Sequence, residues 1–302
     1  MTGVTQAPRS VAYRTASGLT VKRLQPAIGA QIEGADLCKP LPPRVAQEIR
    51  QALLDHGVIF FRNQPLAYPD HIALARIFGE PVIEGIFPDR PEVMSLESTA
   101  EKTNPAGGSW HSDGTYLEIP PALSILHALI AAPLGGDTCF SSAVAAYEGL
   151  SDAVKARIAP LRARASMAHI RKIRKLETVS DDYAATEAAR KLPDYAEHPV
   201  VRIHPETDKR VLYVNEGHTA QIVGLGEQES ADLLRHLVDQ FKRPEYQLRW
   251  SWTDHAVAIW DNRQVQHYAV TNEAGPRHVE RVMVQGTPTI GLMDGLKPAA
   301  AS

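Results

Sequence analysis

Polar and apolar residues alternate through "LTVKRLQPAIGAQIEGADL" around Gly29 and Gly34, and that period of two predicts a pair of short strands. In "PPRVAQEIRQALLDHG" the period lengthens: Val45, Ile49 and Leu53 fall on one helical face, and Gly57 ends the run. "VIFFR" then reads as a buried strand. "YPDHIALARIFGEP" predicts a second amphipathic helix running to Gly79, with Pro81 beyond it. Both helices are expected on the outside of a sheet.

From about residue 110 the pattern changes to short β-rich runs separated by turn residues: "ALSILHAL", "DTCFSS", "PVVRIH", "VLYVN", "YQLRWSW", "AVAIWDN" and "HVERVMVQG". Such spacing predicts a mainly β fold with flanking helices, closed or sandwiched like a jelly roll, and not βαβ winding. "HPETDKR" reads as a hairpin loop and "SADLLRHLVDQF" as a helix between strands. Residues 165–198 interrupt the β pattern with a charged, partly helical insertion, either a lid or a solvated surface helix. With no repeat, linker or low-complexity tract, residues 1–302 are expected to form a single domain.

Composition narrows the partners. With 44% hydrophobic and 22% charged residues and a formal net charge of -3, the chain carries no global basic field to recruit nucleic acid or an anionic membrane. Its two cysteines, Cys38 and Cys139, form no CxxC, so neither a disulfide framework nor a thiolate zinc site is expected; both are read as buried small hydrophobes. The first residues lack the apolar core of a secretory signal, and "ALSILHALIAAPL" is too short to span a bilayer, so a cytoplasmic protein is expected.

The chemistry begins at "WHSDGTYLEIPP". On an extended strand His111 and Asp113 would point to the same face, which suits a metal but also describes any exposed polar pair. His267, after the apolar strand "AVAIWDN", would more often be structural if it stood alone. Two imidazoles and one carboxylate, however, are the facial triad of non-heme Fe(II) oxygenases, a set that leaves three coordination positions open. Downstream, "GPRHVERVMVQG" alternates, placing Arg277, Val279 and Arg281 on one face. Inward-facing guanidiniums would bind carboxylate, sulfonate or sulfate, whereas on an outer surface the same spacing would serve cross-strand ion pairs.

Together, "WHSDGTYLEIPP", "GGDTCFSSAVAAYEGLS", "VLYVNEGHT", "RWSWTDHAVAIWDNRQVQHYAV" and the RxxxR strand resemble the taurine dioxygenase family of Fe(II)- and 2-oxoglutarate-dependent dioxygenases, in the same order over most of the chain. The resemblance implies a double-stranded β-helix with flanking helices. It also implies iron ligation by His111, Asp113 and His267, and a salt bridge from Arg277 to the distal carboxylate of 2-oxoglutarate assisted by the Thr138 hydroxyl. Arg281 would hold the anionic group of the primary substrate. The stretch from His267 to the arginines is one residue shorter than in the taurine enzymes, a difference assigned to "TNEAGP". Substrate hydroxylation would consume dioxygen and yield succinate and carbon dioxide, and retention of Asp113 favours it over halogenation. The family also implies a homo-oligomer, dimer or tetramer.

For the substrate, the resemblance implies a small organic anion or zwitterion: a sulfonate, an alkyl sulfate ester, or a carboxylate such as an aryloxyalkanoate. Hydroxylation beside the heteroatom of these would give an unstable product that breaks down to a carbonyl compound. Positions that in taurine-specific members carry histidine, tyrosine and asparagine hold Glu84, Phe87 and Gly107, and His218 stands where an aromatic is usual. An acidic Glu84 would repel a sulfonate unless protonated or paired, which weighs against taurine itself; it could pair with the cation of a zwitterion, or face solvent if its loop is displaced. His218 is a pocket residue or a core histidine. Trp110 and Tyr116 read as packing residues, and Trp260, Asp261 and Asn262 as shaping the turn before His267. A zinc hydrolase on the same three ligands and a silent cupin-like binding protein are the alternatives outside this class.

Overall fold

The computed structural model describes residues 11–85, 87–98, 107–169 and 193–294. The first half contains β1 (Ala12–Arg14), β2 (Thr20–Arg23), β3 (Ala30–Glu33), α1 (Pro43–His56), β4 (Val58–Phe61), α2 (Tyr68–Arg76), β5 (Val93–Ser98), β6 (Leu123–Ile130), β7 (Thr138–Ser142), α3 (Ala143–Glu148) and α4 (Asp152–Ile158). The second contains β8 (Arg162–Ala165), β9 (Ala196–Pro199), β10 (Val201–Ile203), β11 (Arg210–Leu212), β12 (Thr219–Ile222), α5 (Glu227–Val238), β13 (Gln247–Trp250), β14 (Val257–Asp261), β15 (Val265–Ala269) and β16 (Arg277–Val284).

Eight strands form the major sheet in the order β1-β2-β3-β4-β14-β6-β16-β5, antiparallel except where β3 meets β4. A minor sheet, β13-β7-β15, faces it. Alternation within single strands sets the layers. In β4, Val58 and Phe60 join the core between the sheets, while Ile59 and Phe61 join a second core under α1 and α2. β14 repeats this with Ala258 and Trp260 inward and Val257 and Ile259 outward, so strands with both faces covered read as unbroken apolar runs. Phe60 stacks on Trp250 at 4.0 Å between centroids and meets Phe140 edge-on at 5.5 Å, tying the two sheets together.

Both predicted outer helices are present. α1 starts on Pro43 and closes on Gly57, whose φ of 74° and amide bond to the Leu53 carbonyl at 2.8 Å suit a residue without a side chain. α2 ends at Arg76 and not at Gly79, because its last turn tightens: Phe78 bonds back three residues to Ala75 at 2.9 Å. A third core gathers α3, α5 and β11. The hairpin predicted at "HPETDKR" joins β10 to β11 in antiparallel register. The insertion expected at 165–198 leaves and rejoins the chain through the antiparallel pair β8 and β9, and its residues 170–192 lie outside those described. Cys38 and Cys139 are half-buried against apolar clusters, less enclosed than expected, and both are free thiols.

Candidate active site

The site forms at one end of the sandwich, where β15 of the minor sheet approaches β6 and β16 of the major one. His267 lies on β15, on the same strand face as Val265 of the inter-sheet core. His111 meets it through an isolated antiparallel bridge in which the two residues exchange both backbone bonds, His111 N–H to the His267 carbonyl at 3.1 Å and the reverse at 2.8 Å. The imidazoles therefore emerge on the same side, with centroids 4.2 Å apart.

Asp113 reaches the same point by a route that differs from the expected extended strand. Beyond the single bridge at His111 the chain turns at 113–116. Asn262 pins that turn: its Oδ1 accepts the Asp113 amide at 2.7 Å, and its Nδ2 donates to the carbonyls of Asp113 at 2.7 Å and Pro121 at 3.1 Å. Gly114, at φ 64°, completes it, since a Cβ there would stand 2.6 Å from Pro121 Cδ. The strand premise was wrong, but the convergence of the pair holds.

Ligand atoms of His111, Asp113 and His267, all buried, lie within 4.8 Å of one another. Asp113 Oδ1 is 3.7 Å from His111 Nε2 and 3.9 Å from His267 Nε2. The Nδ1 of His111 donates to the Ser109 carbonyl at 2.7 Å, which fixes the ring with Nε2 turned toward Asp113. Burial, reinforced by His111, pushes the His267 imidazole down to about 3, so it stands neutral. It is held by packing, 4.7 Å from the Trp260 ring, and its Nδ1 has no partner among the described residues. Burial alone would raise the Asp113 carboxyl, but Arg281, both imidazoles and the Ser124 hydroxyl hold it well below the usual carboxylate range. Two imidazole nitrogens and an ionised carboxylate oxygen converging in a buried site fit a mononuclear divalent metal of the Fe(II) type.

Strand β16 supplies the arginines from its inward face. Arg281 donates through Nη1 to Asp113 Oδ1 at 2.7 Å and through Nη2 to Met94 Sδ at 3.1 Å. Four residues earlier, Arg277 lies against the GGDT bend, where a Cβ on Gly136 would sit 3.5 Å from its Cδ. No carboxylate lies within ion-pair distance of Arg277 among the described residues; burial lowers its pKa, and the more distant Glu273 opposes that shift. Thr138 is buried on β7, and its Oγ1 accepts from Trp252 Nε1 at 3.0 Å.

The predicted substrate-pocket residues divide. Glu84 Oε1 lies 3.8 Å from Arg281 Nη2, so the displaced-loop alternative is not what the structure shows. Gly107 sits over the edge of the metal pair: a Cβ there would be 3.7 Å from His111 Cε1. His218 is buried, 5.7 Å from the His111 ring and 5.1 Å from that of Tyr116, and its Nδ1 bonds Thr115 Oγ1 at 2.9 Å. Phe87 packs under the guanidinium of Arg90, which pairs with Glu280 on the outward face of β16. Trp110 packs in the third core, as expected of a packing residue.

Two contributors escaped the sequence reading. Ser124 on β6 donates to Asp113 Oδ2 at 2.7 Å, and its only signal is a small polar residue at an inward position of an apolar run. Trp252 is the other, and "RWSW" gives no sign that its indole meets Thr138. Asp261, read as a turn former, is fully buried and accepts from Arg263 Nε and Nη2, each at 2.7 Å, and from His204 Nε2 at 2.9 Å.

A jelly-roll sandwich with two imidazoles and one carboxylate converging at its open end defines a class, the mononuclear metal-dependent oxygenases. The family model described as "Taurine catabolism dioxygenase TauD, TfdA family" matches residues 20–283, and the chain belongs to that family. It is an Fe(II)- and 2-oxoglutarate-dependent dioxygenase, an oxidoreductase acting on a small molecule with dioxygen, and the hydrolase and silent-binder alternatives give way to that. It is 34% identical over 290 residues to an alkylsulfatase of Acinetobacter baylyi, covering 92% of this chain and 88% of that protein. It is also 34% identical to an alpha-ketoglutarate-dependent sulfate ester dioxygenase of Pseudomonas putida, covering 88% and 89% of the two chains. A solved taurine dioxygenase from Burkholderia xenovorans superposes with a TM-score of 0.77 at 35% identity, over 90% of this chain and 93% of that one.

Proposed function

We propose that His111, Asp113 and His267 hold the Fe(II), that Arg277 with Thr138 receives the distal carboxylate of 2-oxoglutarate, and that Arg281 holds the anionic group of the primary substrate. That substrate is a small sulfonate, alkyl sulfate ester or carboxylate such as an aryloxyalkanoate, with Gly107 and His218 beside it. The sulfate-ester and sulfatase names of the relatives support this class. The observation that carries the cosubstrate assignment is Arg277 itself, a half-buried guanidinium against the GGDT bend with no carboxylate within ion-pair distance among the described residues. A cation in that setting is stabilised by a carboxylate ligand.

When bound, the metal and 2-oxoglutarate supply the oxidising power, one oxygen atom of dioxygen entering succinate and the other the hydroxylated product. The chain's own residues place and balance charge. The Trp252 indole can only donate, so Thr138 Oγ1 accepts from it and keeps its own proton to donate to the cosubstrate carboxylate. Ser124 and Arg281 hold Asp113 ionised and oriented.

The single-domain reading belongs with this proposal: the major sheet draws strands from both ends of the described chain. So do a cytoplasmic location and a dimeric or tetrameric state, which light scattering on the purified protein reads directly. Among the described residues no helix is long and apolar enough to cross a membrane.

The test is spectroscopic. Fe(II) and then 2-oxoglutarate, added anaerobically to metal-free protein, are expected to give the visible charge-transfer band of chelated cosubstrate. That band should vanish in His111→Ala and weaken in Arg277→Ala. A folded, iron-loaded protein without the band would overturn the cosubstrate assignment.

A further inference from the structure

Glu84 is not on a free loop. Pro81 bridges to Val284 at the end of β16, and the Val82 amide bonds the Met283 carbonyl at 2.8 Å. The amides of Glu84 and Gly85 both bond the Pro91 carbonyl, at 2.8 and 2.9 Å. The backbone thus delivers the Glu84 carboxylate to the inward face of β16, where its side chain is 12% exposed. Its Oε1 is enclosed and accepts no hydrogen bond from the described residues, although Arg281 Nη2 lies 3.8 Å away. An enclosed carboxylate oxygen without a donor is unfavourable, and a bound ligand can supply what the protein does not.

Charge sharpens the point. Arg281 stands between Asp113, which it bonds at 2.7 Å, and Glu84. Asp113 is committed to the metal cluster; burial and Asp113 push the Glu84 carboxyl up while Arg281 opposes them, so a cation brought to Glu84 favours its ionised form, and the ionised form opposes an anion held on Arg281 alone. A plain monoanion bound there would face a carboxylate at close range. A ligand whose anion sits on Arg281 and whose ammonium sits on Glu84 would satisfy both groups.

We infer that Glu84 is a specificity-determining residue, which selects substrates carrying a cationic group beside the anion held by Arg281 and disfavours the same anions without it. This rests on Arg281 being the substrate's anion site. A site built around a buried polar group rejects the analogue that leaves the group unpaired.

The test uses anaerobic protein loaded with Fe(II) and 2-oxoglutarate and two matched pairs of probes, homotaurine against butanesulfonate and γ-aminobutyrate against pentanoate. In each pair a methyl group replaces the ammonium. Dissociation constants are read from perturbation of the charge-transfer band, and succinate formation is the second readout. The ammonium-bearing member of at least one pair is expected to bind at least about tenfold more tightly than its partner, with Glu84→Gln erasing most of that ratio and leaving the cosubstrate's affinity unchanged. The inference is overturned if the ammonium-free members bind as well or better in both pairs, if Glu84→Gln moves both members alike, or if none of the four perturbs the band. In each of those cases the band itself persists and the dioxygenase reading stands. Absence of the band would overturn that reading and this inference with it.

Discussion

Arg281 donates to Asp113 Oδ1 at 2.7 Å, the oxygen that lies nearest the Nε2 atoms of both histidines. One guanidinium therefore touches the metal-binding carboxylate and is also the proposed anchor of the substrate's anion. Arg281→Met is expected to lower kcat/KM for the substrate by at least about 30-fold, since truncating one partner of a buried charged pair costs about 2 kcal/mol or more. The charge-transfer band of bound 2-oxoglutarate should remain, which separates this variant from Arg277→Ala. Loss of the band in Arg281→Met would mean that the arginine chiefly supports the metal.

In the proposed cosubstrate site Trp252 would act through Thr138, to which its indole donates at 3.0 Å. Trp252→Phe keeps the aromatic packing but removes the indole N–H, freeing the hydroxyl to rotate. KM for 2-oxoglutarate is expected to rise about fivefold, the value of one ordinary hydrogen bond, with kcat little changed. Thr138→Val should match or exceed this. An unchanged KM in both variants, measured by succinate formation against 2-oxoglutarate concentration, would remove the pair from the cosubstrate site.

Three buried histidines away from the metal govern acid stability. Burial, with repulsion from His127, pushes His71 down to about 3; burial also pushes His127 and His198 down to about 4. Their pKa values are lower folded than unfolded, so the unfolded chain binds more protons. Stability is then full above about pH 6.5, the unfolded value, and falls steadily as pH drops toward 4. Urea midpoints measured from pH 7.5 to 5 should decline, and less steeply in His71→Gln. A flat profile would contradict the buried neutral state.

Asp261 holds the turn that carries His267 into the site. Removing its carboxylate strands the enclosed His204 and leaves Arg263 only Glu206 to pair with. Asp261→Ala is expected to lose about 3–5 kcal/mol of stability, as breaking a buried ion pair does. Chemical denaturation reads this, and iron affinity should fall with it.

Much of this was legible in the sequence because residue period and motif are local. Unbroken apolar runs announced β4 and β14, and the metal residues stood out by type. The short edge strands β1 and β12 were not predicted, since three or four residues with exposed sides carry no period of their own. Neither was the geometry of the His111 and Asp113 pair, because the turn that bends Asp113 inward is enforced by Asn262, far along the chain. Ser124 and Trp252 belong to the same category: their roles come from a partner across the sandwich, which one-dimensional spacing does not encode.

The bridge between His111 and His267 has a consequence for synthesis. Two metal ligands far apart in sequence are spaced by a single rung of backbone pairing, and that rung closes only once β15 has left the ribosome and docked on β7. Such long-range closure is slow to form and depends on most of the sandwich being in place. A nascent chain stalled before residue 267 would thus carry a histidine and an aspartate but not the third residue of the triad.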